Sequence, residues 1–139
     1  MDAVFRHHRV ETLIGNLVPH STLGSAALTP LDLFVANEAE AAAVLGRHHD
    51  DPTVAARELR KLGPRAAVVT AGPRGAAYSD ADDTVLVPAQ QVNVINTSGA
   101  GDTFLGTLAA RLAHQFPLFH AVADGVAAAT NFVRSGKQQ

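Results

Sequence analysis

Ala66-Ala-Val-Val-Thr70, running into Ala71-Gly-Pro-Arg-Gly75, is the stretch that decides the fold. A strand with one face in water alternates apolar and polar residues. An unbroken apolar run instead suits a strand buried on both faces, as in a sheet with helices on either side. Gly72 to Gly75 then reads as a turn, Ala76 to Ser79 as a returning strand, and Asp80 to Asp83 as a second turn. Upstream, Leu31 to Ala36 (LDLFVA) reads as another short buried strand. Glu11 to Val18 (ETLIGNLV) reads as a strand closed by Pro19, with a loop over Ser21 to Pro30. Helices fall between and after these strands. Glu38 to Leu45 is rich in Ala and Glu, with Asn37 placed to cap it and Gly46 to stop it. Pro52 to Leu62 enters through proline, carries Val54, Leu59 and Leu62 as an imperfect apolar stripe, and ends at Gly63-Pro64. Thr84 to Pro88 and Gln91 to Ile95 look like strands. Two long helices follow, Ala100 to His114 with Phe104, Leu108 and Leu112 on one face, and Pro117 to Val133. Strands alternating with helices predict an α/β fold: a three-layer α/β/α arrangement around a mostly parallel sheet, in one domain over residues 1–139.

Composition narrows the function. Of 139 residues, 47% are hydrophobic and 17% charged, which excludes a disordered tail. A net charge of −2 gives no basic field to draw nucleic acid or an anionic membrane, so neither is an expected partner. No uninterrupted apolar run approaches the roughly 18 residues of a membrane span. The absence of cysteine excludes disulfide scaffolds, thiolate metal sites and cysteine nucleophiles. The segment from Met1 to Arg9 lacks the apolar centre of a signal peptide, so a cytoplasmic protein is expected. Seven histidines include the adjacent pairs His7-His8 and His48-His49, but no spacing suited to zinc. Asp80, Asp82 and Asp83 read as turn residues rather than metal ligands.

Chemistry concentrates in Asn96-Thr-Ser-Gly-Ala-Gly-Asp-Thr-Phe104, where a strand gives way to a helix through Gly99-Ala100-Gly101. Small residues at a helix start leave backbone amides bare and able to face an anion, favoured there by the helix dipole. A plain phosphate cradle would not carry Asp102 in that turn. The pairing makes sense if the carboxylate takes a proton from an attacking hydroxyl while the amides hold the charge developing on the transferred group. The plainer reading is an acidic residue favoured at a helix N-terminus.

That string resembles the C-terminal signature of the ribokinase-like (PfkB) family of sugar and nucleoside kinases. Asn37-Glu-Ala-Glu40, after a strand, is similar to the family's Asn-x-x-Glu motif. Thr70-Ala-Gly-Pro-Arg-Gly75, also after a strand, is similar to its Thr-x-Gly-x-x-Gly nucleotide loop. The three occur in family order, and within the family the strings look most like ribokinase. The resemblance implies transfer of phosphate from ATP to a hydroxyl of ribose or a related sugar. It implies Asp102 as the base contacting the sugar, and Gly99, Ala100 and Gly101 as the anion hole. Asn37 would contact the nucleotide phosphates, Glu40 would organise magnesium and its waters, and Thr70, Gly72 and Gly75 would line the nucleotide site. Asn37 as a helix cap, Glu40 as a solvated helix residue and the two glycines as hairpin punctuation remain the plainer alternatives.

Two departures qualify the implication. The match runs from about Glu11 to the end and corresponds to the C-terminal, nucleotide-binding half of the family. The sugar-binding segments and β-strand lid of the N-terminal half are expected to be absent. An apolar sheet edge near the first strand is then expected, inviting homo-oligomers or pairing with a separate half. The rival functions are accordingly a nucleotide-binding module without catalysis, and a remnant that keeps only the fold. Asn96 also stands where such kinases usually carry Asp. The family's monovalent-cation site, commonly potassium, would fall on Asn96, Ser98, Asn131, Arg134 and Gly136, weakened by the lost charge.

Overall fold

Among the described residues, five strands lie side by side in chain order: β1 (Ile14–Asn16), β2 (Leu33–Asn37), β3 (Ala66–Thr70), β4 (Ala76–Ser79) and β5 (Thr84–Val87). The structure is a computed structural model that describes residues 14–16, 32–94 and 99–135. β1 pairs with β2 and β2 with β3 in parallel, whereas β3–β4 and β4–β5 are antiparallel. Only β4 therefore runs against the others, and the mixed pairing comes from the hairpin read at Gly72 to Gly75. Among the described residues the α-helices are α1 (Glu38–Leu45), α2 (Pro52–Arg60), α3 (Ala100–Ala113) and α4 (Leu118–Ser135).

The period-two geometry of strands sorts the apolar run into two faces. Leu33, Val35, Ala66 and Val68 face one way and pack with Phe104 and Leu108 of α3 and Val122 of α4. Phe34, Ala36, Ala67 and Val69 face the other way, against Ala41 of α1 and Ala55, Ala56 and Leu59 of α2. Helices thus cover both faces, as the three-layer reading requires. The second layer is built mostly from alanine, which lets α1 and α2 lie close to the sheet. Tyr78 on β4 is buried in the first layer. Burial raises the pKa of its phenol, with the carboxylates of Asp80 and Asp83 adding to the shift. A folded pKa above the unfolded one means stability is fully present below about pH 10 and lost as pH rises through the folded value. Chemical unfolding followed across that window should show a falling midpoint, and Tyr78→Phe should flatten the decline.

Several sequence boundaries shift. The α2 stripe holds at Leu59, with Leu62 packed against the same core, while Val54 is only half-buried and Ala55 and Ala56 take the buried face, because the small residues approach the sheet most closely. The strand expected over Gln91 to Ile95 is not formed at residues 91–94, and Ile95 lies outside the described residues. Val92 and Val94 line a pocket instead of pairing with a neighbouring strand, so their alternation has a different cause. The Asp80–Asp83 turn forms as read, with Asp80 Oδ1 accepting from the amides of Asp82 and Asp83 at 2.9 and 2.8 Å. β1 is one edge of the sheet among the described strands. The remainder of the Glu11 to Val18 reading, the Ser21 to Pro30 loop and His7-His8 lie outside the described residues. Among the described residues no helix is long and apolar enough to cross a membrane.

Candidate functional site

β2, β3 and β5 all point their carboxyl ends toward the same rim, and the sequence motifs lie on the connections that leave it. Open α/β sheets bind ligands at that rim because the loops there diverge and leave a crevice. A pocket of about 220 Å³ opens between the connection after β3, residues 89–94, the start of α3 and the C-terminal part of α4. Thr70, Gly72 and Gly75 meet Ala100 and Gly101 across it, so two of the three motifs share one cavity. The walls are mainly apolar, with Val92, Phe104, Val126 and Val133 among them, and polar groups come from Thr70, Thr130 and Gln91. Pockets for whole drug-sized ligands run to roughly 300–1,000 Å³. This one is smaller, at about 220 Å³.

Backbone geometry fixes the cavity floor. Gly75 has φ 102°, and a Cβ there would lie 2.0 Å from the carbonyl oxygen of Val87 and 2.9 Å from the amide nitrogen of Ala89. Only glycine lets the hairpin press against the end of β5. Gly99, the residue before α3, has φ 94°. The first intrahelical bond of α3 runs from the Thr103 amide to the Gly99 carbonyl, 3.0 Å, so the amides of Ala100, Gly101 and Asp102 precede the helical ladder. An added Cβ on Gly101 meets nothing within 4 Å, so packing does not demand glycine at this pocket-lining position. Asp102 is exposed in the first turn, beside the pocket wall formed by Ala100 and Gly101.

Asn37 and Glu40 stand at the rim but not in the pocket wall. Asn37 Oδ1 accepts from the Glu40 amide at 2.7 Å, and Glu40 Oε1 accepts from the Asn37 amide at 2.9 Å. This reciprocal capping box explains both residues locally and uses only one oxygen of the Glu40 carboxylate. Among the described residues no cluster of three or more His, Asp or Glu side chains could hold a metal by itself. Of the residues assigned to a monovalent cation, Asn96, Ser98 and Gly136 lie outside the described residues. Asn131 and Arg134 are one turn apart on α4, where Arg134 donates to Asn131 Oδ1.

Sequence reading did not single out Arg74, Gln91 or Thr130. Thr130 is a buried polar residue on the apolar α4, a signal visible only once the helix face is known. Arg74 sits inside the Thr70–Gly75 motif, yet its partners are 24 and 36 residues away in the chain. A wider, shallower cleft of about 510 Å³ lies at the opposite rim, among Asp32, Arg65, Asp80 and Phe116, away from every motif.

The chain is 33% identical over 112 residues to a bifunctional ribokinase/ribose-5-phosphate isomerase A of Fructilactobacillus sanfranciscensis, covering 78% of this chain and 21% of that protein. It is 36% identical over 107 residues to a deoxyribokinase of Salmonella typhi, covering 75% of this chain and 35% of that one. The crystal structure of ribokinase from Thermotoga maritima superposes with a TM-score of 0.77 at 26% identity, over 87% of this chain and 42% of that one. The chain thus spans about a third or less of the two relatives' length. A family model of pfkB family carbohydrate kinases matches residues 3–139. Strand-end motifs, a three-layer sheet and that match together place this chain in the pfkB family of carbohydrate kinases.

Proposed function

We propose that this chain is the nucleotide-binding part of an ATP-dependent sugar kinase that phosphorylates a hydroxyl of ribose or a related sugar. The observation that carries the reading is the shared cavity: the Thr70–Gly75 connection and the start of α3 face one apolar pocket, with Asp102 exposed beside it. The base of ATP would occupy the apolar pocket. Its phosphates would extend over the amides of Ala100, Gly101 and Asp102, where a helix N-terminus favours negative charge. The open space at Gly101 supports this, since a ligand rather than protein would fill it. Asn37 would reach the phosphates from the α1 side.

Phosphoryl transfer depends on positioning and charge neutralisation more than on covalent chemistry. Asp102 accepts the proton of the sugar hydroxyl as its oxygen bonds to the γ-phosphorus and the bond to the leaving ADP oxygen breaks. The amides at the start of α3 hold the charge on the transferred group. Magnesium, when bound, would neutralise phosphate charge, and Glu40 would hold it and its waters. A potassium ion would be held by Asn96, Ser98, Asn131, Arg134 and Gly136 in this reading, its effect weakened because Asn96 carries no charge. The cytoplasm is the proposed location.

A second reading is a nucleotide-binding module without turnover, because a kinase must orient and desolvate its acceptor as well as bind nucleotide. Orientation supplies about 7–11 kcal/mol in favourable cases. Titration with ATP and magnesium, followed by addition of ribose, separates these readings. Saturable binding with ribose phosphate formed supports the kinase. Saturable binding without product supports the module, to be completed by a second copy or a separate half docking on the sheet edge. No binding at all leaves a fold without function and overturns both.

A further inference from the structure

We propose that Arg74 is a positioning residue that clamps the connection after β3 to the starts of α1 and α2, fixing the spacing between two elements of the nucleotide site. The inference rests on the nucleotide reading above and adds to it. Arg74 ends the short helical turn Gly72–Arg74. Its Nη1 donates to the carbonyl oxygen of Asp50 at 2.8 Å, and its Nη2 is paired with the carboxylate of Glu38. Glu38 is the first residue of α1, next to Asn37. Asp50 immediately precedes Asp51, which caps α2 by accepting from the Thr53 amide at 2.9 Å. One planar guanidinium therefore joins three connections through separate nitrogens, a geometry that lysine's single ammonium does not reproduce. On the opposite flank, Gln91 Nε2 donates to the carbonyl oxygen of Pro73 at 3.0 Å. Adjacent residues of a glycine-flanked turn are thus held from two sides.

The pair with Glu38 is partly solvated, with side-chain exposures of 52% and 29%. Ion pairs of this kind contribute little to global stability. Their effect here is on geometry: the clamp keeps the Asn37–Glu40 box in register with Thr70 and Gly72 before any ligand arrives. Loss of the clamp leaves that ordering to be done at the moment of binding, which weakens affinity.

The test uses the whole chain with ATP and magnesium as the probe, and hydrogen exchange of the amides at residues 72–75 without nucleotide. Arg74→Ala should raise the dissociation constant about tenfold and speed exchange in that turn, with the melting temperature nearly unchanged. Arg74→Lys should restore only part of the affinity. Glu38→Gln should weaken binding in the same direction, and the double variant Arg74→Ala/Glu38→Gln should be no worse than Arg74→Ala, because the two side chains act as one unit. Unchanged exchange and affinity in Arg74→Ala would overturn the clamp while leaving the nucleotide site standing. Additive losses in the double variant would also overturn it, by making Arg74 a direct ligand contact. Faster exchange in Arg74→Ala of a parent that binds no nucleotide would uphold the clamp as a mechanical element and sink the nucleotide reading instead.

Discussion

Asp102→Asn should reduce phosphoryl transfer to sugar by about 10²–10⁴-fold, the usual worth of a positioned general base, while leaving ATP affinity close to that of the parent. Asparagine keeps the size and one oxygen of the side chain but accepts no proton at neutral pH. Because Asp102 is exposed, its replacement disturbs no packing. The plainer role of an acidic residue at a helix start predicts a different result. A carboxylate in the first turn stabilises a helix by about 0.3–1 kcal/mol, so the variant would melt slightly lower and turn over normally. A sensitive assay of ribose phosphate formation, read beside a thermal melt, separates the two roles. Parent-level transfer by Asp102→Asn would remove the base assignment.

Gly75→Ala should lower the melting temperature by about 10 °C or more and abolish nucleotide binding together with it. Two costs combine. A non-glycine residue in a strained positive-φ conformation costs about 1–3 kcal/mol, and forcing a methyl into closed packing adds about 1–3 kcal/mol. The clash is with backbone, since the new Cβ would stand 2.0 Å from the Val87 carbonyl oxygen, so no side-chain rotation relieves it. Gly101→Ala is the control. It meets nothing within 4 Å and sits in a helix, where alanine is favoured, so its melting temperature should hold or rise slightly. Its expected defect is in phosphate binding, because the methyl enters the space over the first helical amides. Equal melting temperatures for Gly75→Ala and the parent would show that β5 does not press on the hairpin.

Local rules carried much of this fold. The apolar run Ala66–Thr70, the Asn37 cap and Gly46 stop of α1, the Asp80 turn and the starts of α1, α2 and α3 were all legible, because each depends on residues within one turn or one strand. The three motifs were legible for the same reason: each is a short string, two of them at the ends of β2 and β3 and the third running into the start of α3. The convergence of two of them on one cavity was a matter of tertiary structure. Apolar alternation at Gln91–Ile95 pointed to a strand, but Val92 and Val94 face a cavity closed by α3 and α4 from elsewhere in the chain. Likewise the α2 stripe chose its alanines only because the sheet lies so near.

The sequence by itself determined most strands and helices of the described residues, where several of them cap, and which short strings carry acidic and glycine residues. Only the tertiary structure decided that Thr70, Gly75 and Gly101 share one pocket, that Gly75 has no room for a methyl, and that Arg74 reaches Glu38 across 36 positions. The physical reason is range. Capping bonds, turn conformations and strand periodicity act between near neighbours and leave a pattern in the string. Cavity shape and long ion pairs depend instead on how separate elements stack, and no local spacing encodes that.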